Sequence, residues 1–174
     1  MKTYSKPERH YYLGYGMNTN VDSMRYRCPD AILVDTVKLP DHRFRFARHA
    51  DVVYEPGAET WCALWDITND DLASLDILEG YPRYYKRKLV TLTKPVYNTP
   101  YQAWVYYMAR NEPAAWPDTS YLNMLQEGYA ECRIPESQLI EALADLDGTK
   151  NRYNRAKTHL ALTRKSLNSE DLWF

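Results

Sequence analysis

The feature that most constrains the fold is a series of strand-like segments that helices interrupt but do not regularly alternate with. Turn-forming pairs such as Pro40-Asp41 and Pro56-Gly57 separate segments rich in aromatic and β-branched residues. This order predicts an α+β domain built on a largely antiparallel sheet or a small, mainly antiparallel β-barrel of about six strands with flanking helices, and it argues against a doubly wound fold. The six predicted strands are residues 10–15, 31–39, 43–47, 60–67, 84–93 and 101–108.

Shorter stretches have the apolar spacing and end signals of helices. A short helix is predicted over residues 22–26 and a longer one over residues 68–79. A third helix is expected after a cap at Thr119 or Ser120, and a fourth is expected to open at Pro135 and end before Gly148.

The last 26 residues differ chemically from the rest of the 174-residue chain. No acidic residue lies between Thr149 and Ser166, although lysine and arginine are frequent there. Tyr153, Ala156 and Leu160 follow helical spacing, which predicts an amphipathic helix packed on the body or on a second subunit of a homodimer. The alternatives are a solvated basic face, or contact of residues 149–166 with nucleic acid or another polyanion. We therefore divide the chain into a domain at 1–148 and a basic helical extension at 149–174.

Several classes of protein are disfavoured by what the chain contains. Cys28, Cys62 and Cys132 lie far apart, and the four histidines show no zinc-type spacing, so no metal site is expected. No run approaches the ~20 apolar residues of a membrane span, and residues 1–10 lack the apolar stretch of a signal peptide. We expect a cytoplasmic protein with reduced thiols.

Glu79 occupies an unusual place at the end of the predicted helix 68–79. Leu72, Leu75 and Glu79 are spaced to share one face, and the leucines indicate that this face is buried. Burial and the negative end of the helix dipole both disfavour a charged carboxylate, so the pKa of Glu79 should exceed the roughly 4.3 of an ordinary Glu. A carboxyl group of this kind can act as a general acid and base. The alternative is a structural ion pair with a nearby cation, Arg83, Lys86 or Arg87.

A second informative stretch follows the first predicted strand, where Gly14 and Gly16 precede Asn18. Such a turn can aim several backbone N–H groups at one anion, although a glycine turn after a strand is also simply a turn. It lacks the lysine of a phosphate loop and the spacing of a dinucleotide-binding loop. The chain also shows no recognisable catalytic serine or cysteine motif, so covalent acyl transfer has no visible nucleophile.

Taken together, these motifs resemble the gamma-glutamylcyclotransferase family, the AIG2-like group, over residues 10–146. The resemblance rests on Tyr15-Gly16-Met17-Asn18 for the family's Tyr-Gly-Ser-Asn, Met24 with Arg27-Cys28-Pro29, Leu64-Trp65, Leu75-Asp76 with Glu79-Gly80, Tyr84-Tyr85, and Tyr121-Leu122 through Gly128 to Ile134-Pro135.

The resemblance implies an enzyme that needs no cofactor and releases 5-oxoproline from a small gamma-glutamyl substrate. Glu79 matches the family's acid/base glutamate, and Tyr85 matches a tyrosine of the same pocket. Tyr15, Gly16, Met17 and Asn18 match the loop that holds the gamma-glutamyl group, with Met17 where the family usually has serine. The alternatives are a non-catalytic module that binds a ligand or macromolecule, or a related acyl-transfer enzyme acting on a gamma-glutamyl biosynthetic intermediate.

Overall fold

The computed structural model describes residues 8–94, 99–148 and 152–170. It confirms the α+β class, with five strands in one sheet and five α-helices among these residues. The strands are β1 (Arg9–Gly14), β2 (Ile32–Ala47), β3 (His49–Thr68), β4 (Tyr85–Lys94) and β5 (Thr99–Met108). The helices are α1 (Val21–Arg27), α2 (Asn69–Leu78), α3 (Thr119–Glu131), α4 (Ser137–Leu146) and α5 (Arg152–Glu170).

The sheet has the order β2-β3-β1-β5-β4, which places β1 at its centre. The pairings of β1 with β3, β2 with β3, and β4 with β5 are antiparallel. The pairing of β1 with β5 is parallel, so the sheet is mixed. Within the described residues the outer strands β2 and β4 are not paired with each other, and closure into a barrel is not confirmed.

The β2–β3 hairpin is longer than the sequence predicts. The segments predicted at 31–39 and 43–47 form one strand, and β3 begins well before the predicted residue 60. Asp41 and Gly57 have positive φ angles, and the Gly57 amide donates to Asp41 Oδ1 at 2.9 Å. The two turn signals therefore mark a bulge-like shift of register within one hairpin, and both strands continue past it.

The ends of α2 agree with the sequence analysis. The Thr68 side chain accepts from the Asp71 amide, and the Asp71 side chain accepts from the Thr68 amide, which completes a capping box. Gly80 has φ 59°, the left-handed conformation expected just after the helix. Leu72 and Leu75 are buried, so this helix faces the core as predicted.

The cap of α3 differs from the prediction. Asp118, one residue before the predicted cap, accepts from the Tyr121 amide at 2.8 Å. An aspartate at this position accepts a hydrogen bond from a free amide of the first turn, and its negative charge also interacts favourably with the positive end of the helix dipole. The predicted positions Thr119 and Ser120 are instead the first two residues of the helix.

Helix α5 packs on the body of the protein through Ala156 and Leu160, both buried. Thr163 continues the buried face and donates to Gln126 Oε1 of α3 at 3.1 Å. Tyr153 was wrongly predicted to share this face, since its side chain is exposed. Residues 149–151 and 171–174 of the basic extension lie outside the described residues. No described helix is long and apolar enough to cross a membrane.

Candidate active site

The loop after the central strand β1 forms one wall of the site. Because β1 and β5 are parallel, their carboxyl ends lie at the same edge of the sheet. The Tyr15 hydroxyl donates to the Tyr106 carbonyl of β5 at 2.8 Å, and the Tyr15 carbonyl accepts from the Tyr129 hydroxyl of α3 at 3.0 Å. Tyr15 thereby fixes the start of the loop between strand and helix.

Close packing requires glycine at position 14 and leaves little space for a side chain at Gly16. A Cβ on Gly14 would lie 2.9 Å from the Asn18 carbonyl oxygen, and one on Gly16 would lie 3.1 Å from Ala50 Cβ. After Gly16 the chain makes one turn of 3₁₀ helix, Met17–Thr19. Within the described residues no acceptor is seen for the amides of Met17 and Asn18, which open this turn. Met17 and Asn18 both line the cavity that contains Glu79, so these two amides can bind an oxyanion or carboxylate there.

The Asn18 side chain links the loop to Glu79. Asn18 is buried, and its Nδ2 donates to the Tyr12 hydroxyl at 2.8 Å and to Glu79 Oε1 at 3.0 Å. Its Oδ1 accepts from Arg27 Nη1 at 3.0 Å, and its carbonyl accepts from Trp65 Nε1 at 3.0 Å. With all of these bonds in place the amide has a single orientation, and it holds the glutamate at a defined position.

Glu79 is the C-cap of α2, where its half-buried side chain reaches the loop after β1. Burial raises its pKa from 4.5 to about 7, while the hydrogen bond from Asn18 and the charge of Arg27 act in the opposite direction. No ion pair to Glu79 is seen among the described residues. Of the cations proposed as its partner, Arg87 instead binds Asp76, with Nε 2.9 Å from Oδ1.

The opposite wall is formed by tyrosines that hold the start of β3. The Tyr85 hydroxyl donates to the Ala50 carbonyl at 2.8 Å, and the Ala50 amide donates to the Tyr121 hydroxyl at 3.0 Å. Burial raises the pKa of both phenols, so they stay neutral at physiological pH. Tyr85 and Tyr121 therefore shape this wall without adding charge to it.

The six residues singled out from the sequence lie along one cavity of about 1250 Å³. These are Glu79, Tyr15, Gly16, Met17, Asn18 and Tyr85. A second cavity, of about 650 Å³, lies beside α5, and its lining carboxylate Asp147 pairs with Arg155 at 3.1 Å. The first cavity combines a carboxyl group whose pKa burial raises to about 7 with the two loop amides for which no acceptor is seen in the described residues, so it is the better candidate for an active site.

Sequence reasoning missed three residues that support this cavity: Tyr12, Arg27 and Tyr121. Arg27 lies at the end of α1, nine positions after Asn18, and its Nη2 also donates to Met17 Sδ at 3.5 Å. Neither contact follows a helical or strand repeat, so no periodicity reveals it. Arg27 stood within the Arg-Cys-Pro block, where the sequence suggested no role for its side chain.

The three cysteines are unbridged and buried. Among the residues that the structure describes, no three His, Cys, Asp or Glu side chains are grouped as ligands for a metal ion.

Comparison with known proteins identifies the family. The model of the family described as "Gamma-glutamyl cyclotransferase, AIG2-like" matches residues 12–124, which include the loop after β1, Glu79 and Tyr85. The chain therefore belongs to this family, as its motifs indicated. A search of curated proteins found no match.

Solved structures share the fold. A structure named "Gamma-glutamyl cyclotransferase" is 23% identical, with a TM-score of 0.68, covering 87% of this chain and 99% of its own. An uncharacterized protein from Homo sapiens is 24% identical with the same TM-score of 0.68, covering 86% of this chain and 99% of its own. YkqA from Bacillus subtilis is 17% identical with a TM-score of 0.59, covering 88% of this chain and 55% of its own.

Proposed function

We propose that this protein releases 5-oxoproline from a gamma-glutamyl compound, with Glu79 as the general acid and base. The observation that carries this proposal is the position of the Glu79 carboxyl group and its raised pKa. Glu79 has a half-buried carboxyl group with a pKa of about 7, held by Asn18 and facing a cavity large enough for a small substrate. Membership in the family supports cyclotransferase chemistry in general.

The reaction is an internal acyl transfer in which the substrate supplies its own nucleophile. The α-amine attacks the γ-carbonyl carbon, a new C–N bond closes the ring, and the original amide bond breaks. The amine must first lose a proton, and α-amino groups titrate near ~8. Ionised Glu79 takes this proton and gives it to the departing nitrogen as the amide bond breaks. The new ring nitrogen still has two protons and loses one by the same route, and the leaving amine departs as an ammonium ion. Protons and electrons therefore balance without water or a cofactor.

The loop after β1 complements this proton transfer. As the γ-carbonyl becomes tetrahedral, its oxygen gains negative charge, and the amides of Met17 and Asn18 in the cavity lining can donate to it. Because these donors belong to the backbone, they are kept although Met17 stands where the family usually has serine. Tyr15 and Tyr85 form walls that favour the coiled conformation needed for ring closure.

Arg27 is proposed as a positioning residue that acts through Asn18. Its guanidinium donates to Asn18 Oδ1, which directs Nδ2 of the same amide towards Glu79. Its positive charge also lowers the pKa of Glu79 against the effect of burial. Arg27 thus favours the ionised carboxylate that accepts the first proton.

The test is incubation of the purified protein with gamma-glutamyl amino acids, gamma-glutamyl peptides and gamma-glutamyl amines, with 5-oxoproline measured by mass spectrometry. We expect release from at least one class of substrate by the wild type and ~100-fold to ~10,000-fold less by Glu79→Gln. Absence of release across the panel, or full activity of Glu79→Gln, contradicts the proposal. Binding of a gamma-glutamyl compound without any release would identify a binding module instead.

The cytoplasmic location, the homodimer and the polyanion contact of the basic extension stay predictions. Packing of α5 through Ala156 and Leu160 favours a helix docked on the body of its own chain.

A further inference from the structure

Three arginines line the cavity that contains Glu79. Arg48 lies between β2 and β3, Arg83 follows α2, and Arg110 follows β5, so three separate segments bring an arginine to the lining of the same cavity. All three residues are exposed. Their convergence is a property of the fold, because the positions lie 27 or more residues apart in the chain.

Among the described residues, these arginines differ from their neighbours in having no acidic partner. Arg45 binds Asp51 at 2.8 Å, and Arg87 binds Asp76 at 2.9 Å. For the side chains of Arg48, Arg83 and Arg110, in contrast, the described residues provide no ion pair or hydrogen bond. Three cationic groups at this opening are therefore available to a ligand.

The acidic residues that line the same cavity do not balance the positive charges of the three arginines. Apart from Glu79, which is largely protonated below pH 7, the acidic residue of this lining is Glu112. Glu112 is exposed, and its carbonyl accepts from Arg45 Nη1 at 2.9 Å, which fixes the backbone of its segment. The mouth of the cavity therefore has a positive potential that favours an anionic ligand.

The geometry points to an acidic leaving group: the gamma-glutamyl unit is attached to an amino acid or short peptide with more than one carboxylate. This inference rests on the proposed function. The gamma-glutamyl end binds beside Glu79 and the loop after β1, so the leaving group extends towards the opening. One arginine suffices for a main-chain carboxylate, and the others select a second, side-chain carboxylate by bidentate pairing.

The cavity has room for such a substrate. Its volume of about 1250 Å³ exceeds the ~300–1000 Å³ typical of small-molecule sites. Ile77 and Tyr84 form an exposed apolar part of the same lining, on which the aliphatic portion of an acidic side chain can pack. The opening therefore suits a leaving group with a short apolar stem and a charged end.

The matched substrates for a test are gamma-glutamyl-glutamate and gamma-glutamyl-glutamine, which have nearly the same shape and differ by one charge. Their affinities are measured by calorimetry on Glu79→Gln, so that binding is read without turnover. We expect gamma-glutamyl-glutamate to bind at least ~10-fold more tightly at low salt, with the preference shrinking as ionic strength rises.

The variant Arg48→Gln/Arg83→Gln/Arg110→Gln, in the Glu79→Gln background, should reduce this preference to about 3-fold or less. Arg133→Gln is the matched control, because Arg133 is exposed and lies away from the cavity. Equal affinity for the two dipeptides, binding of neither, or an unchanged preference in the triple variant would overturn this inference. None of these results contradicts the proposed function, which fails only if the wild type releases no 5-oxoproline from the panel or Glu79→Gln is fully active.

Discussion

Helix α2 has carboxylates at both of its ends, and Glu79 is held differently from Asp71 and Asp76. Near the start, Asp71 is buried and accepts from the Thr68 amide and hydroxyl, each at 3.0 Å. In the last turn, Asp76 binds the Arg87 guanidinium through two hydrogen bonds and accepts from the Tyr106 hydroxyl at 2.6 Å. For the Glu79 side chain, three residues later, the Asn18 side-chain amide is the hydrogen-bond donor seen among the described residues.

The difference shows that carboxyl groups on one helix can have a structural role or the proposed catalytic role, depending on their hydrogen-bond partners. A carboxylate that accepts several strong hydrogen bonds, as Asp71 and Asp76 do, contributes to stability. A half-buried carboxylate with one neutral donor has a raised pKa and can change its protonation state near neutrality. Asp76 and Glu79 lie less than one turn apart, so paired substitutions test this contrast within nearly the same surroundings.

The largest expected effect separates the two residues by activity. Glu79→Gln keeps the shape and the Asn18 contact but cannot accept a proton, so 5-oxoproline release should fall ~100-fold to ~10,000-fold. Asp76→Asn, assayed at a temperature where it is folded, should stay within about 10-fold of the wild type, because Asp76 is outside the proposed proton path. Equal losses in the two variants would remove the distinction between them.

The second effect separates them by stability. Asp76→Asn leaves the partly buried Arg87 guanidinium without its anionic partner, and we expect a loss of about 2–4 kcal/mol in the free energy of unfolding. Urea denaturation followed by circular dichroism measures this loss. A change below about 0.5 kcal/mol would show that the ion pair is not structural.

Glu79→Gln should have the opposite effect on stability, and only at higher pH. Below pH 4.5 the carboxyl group is protonated in both the folded and the unfolded chain, so substitution changes little. As pH rises towards 7 the unfolded chain ionises first, because the folded pKa is the higher one, and the wild type loses stability. We expect Glu79→Gln to be more stable by about 1–3 kcal/mol at pH 8 and similar at pH 4, by denaturation at both values.

The smallest effect concerns Arg27, whose charge opposes the rise in pKa. In Arg27→Met the acidic limb of the pH profile of kcat/KM should move to higher pH, with about 10-fold lower activity at pH 7. Arg27→Lys keeps the charge and should move the limb less. A limb that stays fixed in Arg27→Met while activity falls would show that Arg27 acts on the shape of the loop alone.

The local features of this contrast were predictable from the sequence. The capping box of Thr68 and Asp71, the left-handed Gly80 and the buried leucines of α2 follow from neighbouring residues, and the structure confirms them. The inward position of Glu79 follows from the same spacing. Each depends on interactions within a few positions of the chain, for which turn and helix rules are adequate.

The remaining features depend on distant parts of the chain. The parallel pairing of β1 with β5 joins strands about 90 residues apart, and no local pattern specifies which strands become neighbours. The sequence prediction divided the β2–β3 hairpin into shorter segments at its turn signals. In the structure Asp41 and Gly57 do have positive φ angles, but they lie within continuous strands. The link from Arg27 through Asn18 to Glu79 joins three separate elements, so it becomes visible only when the chain is folded.

The most direct test of the account is the titration of Glu79 itself. The protein is labelled with ¹³C at the glutamate side-chain carboxyl carbons, and the Glu79 signal is assigned by its loss in Glu79→Gln. We expect this signal to titrate with a pKa of about 7, well above the other glutamates, in the absence of any substrate. A Glu79 signal that titrates near its ordinary value of 4.5 would contradict the central claim that this residue is held ready to exchange a proton near neutral pH.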